Sequence, residues 1–178
     1  AVGAKAVEVS ATDIYGHDLP AMLSAIKAAG DKAKLAFVAN PNNPTGSYLT
    51  AKEIEEFLVA VPSNVVVVLD EAYNEYLTTE QRYDAIAWVK RFPNMILSRS
   101  FSKAYGLAGL RIGYGVAQPH LTDLLNRIRQ PFNVNSLAQA AAIAAFQDKE
   151  FLQQGFEVNC AGYAPVSYTH LTLPTIYS

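Results

Sequence analysis

Cysteine is almost absent: Cys160 stands alone among 178 residues, which excludes an internal disulfide framework and any cysteine-rich zinc site. A basic excess is missing too, with 14 Lys and Arg against 16 Asp and Glu, whereas surfaces that bind nucleic acid or anionic lipid usually carry one. No apolar run approaches the roughly 18 residues needed to cross a bilayer. The opening AVGAKAVEVS lacks the positive-then-apolar layout of a secretion signal. His17, His120 and His170 are scattered without paired ligand spacing, so no metal site is expected. No G-x-G-x-x-G run opens a strand–helix unit, which sets aside a dinucleotide-binding dehydrogenase. These absences predict a protein of the reducing cytoplasm, with small molecules as partners and neither nucleic acid nor membrane.

What is present describes a folded domain. Hydrophobic residues make up 51% and charged residues 17%, and mean hydropathy is +0.09, far from a disordered composition. A chain of this length buries about 70% of its unfolded surface, enough to fold without staples. Short apolar runs at residues 6–9, Leu35–Ala39, 65–69, 95–98 and 112–117 read as strands. The run VVVVL at 65–69 is apolar throughout, four of its five residues β-branched, which predicts a central strand buried on both faces. Helical spacing covers Leu19–Ala29, closed by Gly30. Thr50 and Glu53 form a T-x-x-E capping box that opens a helix to about Val61. Further helices are expected over 84–91, 119–130, from Ser136 as a cap into LAQAAAIAAF, and over 150–159. Strands alternating with helices indicate an α/β fold with a mostly parallel sheet flanked by helices.

The chain starts at Ala1, and its last thirteen residues, VSYTHLTLPTIYS, lose all charge. That change suggests a non-native tail over 166–178, the alternative being a genuine pair of strands. The expected organisation is therefore a partial domain over 1–165, continuing into a connection to a second domain, followed by the tail.

In a parallel sheet, ligands bind beyond the carboxyl ends of the strands. Three post-strand segments stand out there: NPNNPTG at 40–46, DEAY at 70–73, and SRSFSKAYGLAGLR at 98–111. Singly, each has an ordinary explanation. Asn43 suits a turn, Asp70 a helix cap or an ion pair, and Lys103 and Arg111 a solvated surface. Jointly, an acid, a lysine, an arginine and the hydroxyls of Ser100 and Ser102 on one rim suit pyridoxal 5'-phosphate. That cofactor needs an amine to form a Schiff base, an acid beside its ring nitrogen and donors for its phosphate.

The same segments, in this order and at this spacing, resemble the motif set of the fold-type-I pyridoxal-phosphate aminotransferases. The later RQPFNVNS, residues 129–136, favours the histidinol-phosphate aminotransferases among them. The resemblance covers about residues 1–164. It implies that Lys103 is the Schiff-base lysine and Asp70 the partner of the ring nitrogen. It further implies that Asn43 and Tyr73 contact the phenolic oxygen, while Ser100, Ser102 and Arg111 hold the phosphate. The implied reaction passes an amino group between glutamate and imidazole-acetol phosphate, giving histidinol phosphate, in a homodimer about twice this chain's length. The family's cofactor-stacking aromatic and substrate-binding arginine fall outside the present sequence. Two alternatives remain open: a related enzyme of phosphorylated amines such as a threonine-phosphate decarboxylase, and a non-catalytic fragment.

Overall fold

The computed structural model describes residues 3–171, which pack as two units. Among the described residues the first comprises 3–100 with Gly113–Asn133, and the second Phe101–Ile112 with 134–171. In the first unit four strands, β1 (Leu35–Ala39), β2 (Val66–Asp70), β3 (Met95–Ser100) and β4 (Gly113–Ala117), form one sheet in that order. β1, β2 and β3 run parallel, and β4 returns antiparallel to β3. The fold is therefore α/β with a mostly parallel sheet, as the alternation predicts.

Local chemistry sets the helix boundaries. In α1 (Leu19–Ala29) the Asp18 side chain accepts the Ala21 N–H, and Gly30, at φ +56°, donates its N–H to Ile26 and Lys27 carbonyls. α2 (Ala51–Ala60) carries the complete Thr50–Glu53 capping box. α3 (Ala85–Arg91) is capped by Asp84, and α4 (Pro119–Ile128) starts on its proline, where the missing N–H costs nothing. The core lies between α1–α3 and one face of the sheet. Ala36, Val38, Val67, Leu69, Met95 and Leu97 are all buried there with Ile54, Phe57, Trp88 and Val89. Each large side chain so buried contributes about 1.5–3 kcal/mol.

Four expectations need correction. Residues 6–9 form no strand and Val7 is exposed. The segment has no ladder to join among the described residues, and a strand without a partner leaves its backbone to water. In β2 burial alternates, with Val67 and Leu69 inside and Val66 and Val68 only half-buried, so its second face is not closed over. In the second unit, α5 (Ser136–Gln147) is capped by Asn135, whose side chain accepts the Ala138 N–H at 2.8 Å; Ser136 is the first helical residue rather than the cap. α6 (Lys149–Leu171) extends beyond the expected 150–159. Of the suspected tail, residues 172–178 lie outside the described residues.

Candidate active site

The carboxyl ends of the three parallel strands lie in one row, with Ala39 opposite Asp70 and Asp70 opposite Ser98. Asp70 ends β2 with its carboxylate exposed, Oδ1 accepting the Ala72 N–H at 3.0 Å. Exposure relieves the cost of a charge at the end of an apolar strand. Ser100 ends β3 opposite Gly113. A Cβ at Gly113 would stand 2.7 Å from the Arg99 carbonyl oxygen, so the strands meet this closely only through glycine.

Beyond β1 the chain doubles back. The Asn42 N–H donates to the Ser47 carbonyl and the Gly46 N–H to the Asn42 carbonyl, both at 2.9 Å, with Gly46 at φ +67°. This tight loop leaves Asn43 exposed, and its amide donates to the Tyr73 hydroxyl at 3.0 Å. The structure thus joins two residues thirty positions apart that the sequence reading had assigned to one ligand atom.

Beneath this rim lies a layer that the sequence reading missed. Asn40 and Glu71 are fully buried. Asn40 accepts the Leu49 N–H at 2.7 Å and donates to the Leu49 carbonyl at 3.0 Å and to the Tyr83 hydroxyl at 2.9 Å. Arg99 sends Nε and Nη2 to Glu71 Oε2 at 2.8 and 2.7 Å, leaving Oε1 buried without a hydrogen bond. Burial pushes the Glu71 carboxyl above the usual carboxylate range even though Arg99 pulls it down. Burial works against the Arg99 charge, but Glu71 and Tyr114 outweigh it and hold the guanidinium protonated. Removing one member of such a pair costs about 3–5 kcal/mol. A signal for it was present: β2 and β3 each continue their inward-facing series, Val67–Leu69 and Met95–Leu97, into residues of opposite charge.

Ser102, Lys103 and Arg111 belong to the second unit, on its segment Phe101–Ile112. The Leu107 N–H closes onto the Phe101 carbonyl and the Gly106 N–H onto the Lys103 carbonyl, each at 2.9 Å. Phe101 and Tyr105 are buried and pack with Phe146 of α5 at ring separations of 4.9 to 5.6 Å. Lys103 lies between these anchors and is exposed, with Ser102 half-buried beside it. Arg111 follows one 3₁₀ turn later in the left-handed region, φ +53°, its Nη1 donating to the Ala108 carbonyl at 2.7 Å. A non-glycine residue held there costs about 1–3 kcal/mol, and such strain gathers at functional positions.

The model of the aminotransferase class I and II family matches residues 1–163. Histidinol-phosphate aminotransferase 2 of Ralstonia nicotianae is 63% identical over 176 residues, 99% of this chain and 46% of that protein. Among solved structures, histidinol-phosphate aminotransferase from Sinorhizobium meliloti, in complex with pyridoxal-5'-phosphate, is 38% identical with a TM-score of 0.78, over 84% of this chain and 40% of that one. L-threonine-O-3-phosphate decarboxylase from Porphyromonas gingivalis is 33% identical with a TM-score of 0.60, over 67% and 36%. The chain spans less than half the length of the curated relatives it matches. A family match over residues 1–163, nearly the whole sequence, makes the chain a member of the aminotransferase class I and II family.

Proposed function

We propose that this chain is the central cofactor-binding portion of a pyridoxal-phosphate-dependent aminotransferase. Its substrates are glutamate and the phosphorylated ketone whose amination gives histidinol phosphate. The observation that carries this reading is the kinship, across nearly all of the chain, to a protein named for that reaction. The residue set suits the cofactor: Asp70, Asn43, Lys103 and Arg111 are all exposed, and their carboxylate, amide, amine and guanidinium complement a ring nitrogen, a phenolic oxygen, an aldehyde and a phosphate. On this reading residues 1–165 are part of the family's large domain, the full-length protein is a homodimer, and it works in the cytoplasm. No helix among the described residues is long and apolar enough to cross a membrane.

Pyridoxal phosphate, when bound, supplies an electron sink that lets the C–H bond at a substrate's α-carbon ionise. The residues of this chain do the rest. Asp70 holds a proton on the ring nitrogen. Asn43, whose amide donates to the Tyr73 oxygen, and Tyr73 itself would face the ring's phenolic oxygen. Ser100 and Ser102 offer hydroxyls, and Arg111 a permanently charged fork, to the phosphate. Lys103 would hold the cofactor's aldehyde end through its amine and would carry the proton of the substrate's α-carbon. Positioned proton transfer of this kind is worth about 10²–10⁴-fold. The keto product of the donor leaves before the acceptor enters, so ping-pong kinetics are expected.

The decisive assay uses a full-length hybrid, with this chain replacing the matching residues of the Ralstonia nicotianae relative. The hybrid should transfer the amino group of histidinol phosphate to 2-oxoglutarate. Lys103→Ala should lower the rate by at least about 10²–10⁴-fold and abolish the borohydride-fixed adduct. Release of carbon dioxide from threonine phosphate without amino transfer would instead select the decarboxylase reading, whose support is the weaker likeness to the Porphyromonas structure.

A further inference from the structure

In the first unit, the three parallel strands all end their inward side in the same way. Ala36 and Val38 lead to Asn40, Val67 and Leu69 to Glu71, and Met95 and Leu97 to Arg99. The apolar core is thus closed at this end by a buried polar layer. Its members touch in sequence: Asn40 bonds Tyr83, Tyr83 lies beside Glu71, Glu71 takes both Arg99 donors, and Arg99 bonds Tyr114. Every strand-end member is also a near neighbour of a rim residue. Asn40 is three residues before Asn43, Glu71 follows Asp70, and Arg99 precedes Ser100.

Stability alone does not explain this layer. Well-packed apolar side chains usually serve a buried site as well as an ion pair does, and here both Arg99 donors fall on one carboxylate oxygen and not one on each. What directional bonds add is a fixed orientation. Two donors of one planar guanidinium on a single oxygen fix the end of β2 against the end of β3, where the Glu71 N–H also meets the Ser98 carbonyl at 2.9 Å. Strand alternation sends Glu71 inward and leaves Asp70 on the opposite side. Any rotation of the Glu71 backbone is therefore passed to Asp70 across one peptide unit.

We infer that Glu71, gripped by Arg99 and backed by Tyr83 and Asn40, is a positioning residue that holds Asp70 in register with the ring nitrogen of the cofactor. The inference rests on the proposed aminotransferase function. Glu71→Gln, Arg99→Lys and the double variant Glu71→Gln/Arg99→Gln test it in the full-length hybrid, with pyridoxal 5'-phosphate as the probe. The readouts are the thermal midpoint without cofactor, the pH midpoint of the bound cofactor's visible absorption band, and kcat and KM for histidinol phosphate. The single variants should shift the pH midpoint of the band and lower kcat by about 10²-fold, the scale of a small misplacement at a reacting centre, with KM little changed. The double variant should regain the thermal midpoint, because no buried charge is left unpaired, yet keep the shifted band. If Glu71→Gln does not fold, Arg99→Lys carries the same readouts, since it keeps the charge and loses the fork. Variants that lose thermal stability but keep the wild-type band and kcat would overturn the inference and leave the pair a purely structural one. A wild-type hybrid that shows no visible band with saturating cofactor would instead remove the aminotransferase reading, and the inference with it.

Discussion

Asp70 and Glu71 are one peptide bond apart and live in opposite surroundings. Asp70 is exposed and keeps an accessible carboxylate, while Glu71 is fully buried and locked to Arg99. An ion pair is one ordinary expectation for Asp70, and the structure gives that pair to its neighbour Glu71. That division suits the chemistry, because an acid that must meet a ligand cannot be consumed by a buried pair. Asp70→Asn, nearly isosteric, should retain cofactor binding in the full-length hybrid while reducing turnover by about 10²–10³-fold, typical of losing one preorganised electrostatic partner. Steady-state rates beside a cofactor titration check this, and a near-normal rate would take Asp70 out of its role. Asn43 and Tyr73 could be named from their motifs, but their direct bond could not, since thirty residues separate them.

Elements announce themselves where their chemistry is local. The bounds of α1 and β1 are those expected, because an Asp cap, a terminal glycine and a closed apolar run are short-range signals. α2 shows the same at its box, where Thr50 Oγ1 accepts the Glu53 N–H and Glu53 accepts the Thr50 N–H at 2.7 Å. Thr50→Ala should cost about 1 kcal/mol in denaturant unfolding. The hydrogen bonds from Thr50 hold the Glu53 carboxyl below its ordinary range. A depressed folded-state value means that the stabilisation is present above the unfolded-state value and is lost as pH falls through the folded one. The unfolding midpoint of wild type should therefore drop more steeply with acid than that of Glu53→Gln, and equal slopes would contradict the box's role. Residues 6–9 failed as a strand for the converse reason: a strand is made by its partner, and no pattern within four residues supplies one.

At the scale of the whole molecule, the sheet of the first unit has one face packed by helices and apolar side chains exposed on the other among the described residues. Leu35 and Phe37 of the edge strand β1 are 56% and 65% exposed and stand in register with the half-buried Val66 and Val68. An apolar face beside an open sheet edge is prone to self-association. The chain also spans only 46% of its Ralstonia relative. The 178-residue chain alone should accordingly bind pyridoxal 5'-phosphate far more weakly than the full-length hybrid and show no amino transfer. Parallel absorbance titrations and a coupled assay measure both, and transamination by the isolated chain would refute the expectation.

The sequence by itself determined the α/β alternation, the caps of α1 and α2, and the placing of Asn43, Asp70, Tyr73, Ser100, Ser102, Lys103 and Arg111 at or just after strand ends. These depend on interactions within a few residues or on motifs read in order. Only the tertiary structure decided that β2 is covered on one face, that Asn43 reaches Tyr73, and that a buried layer from Asn40 to Arg99 lies beneath the rim. Each of those depends on which strands become neighbours and which charges lose their water, and burial is a property of the packed chain, not of any stretch of it.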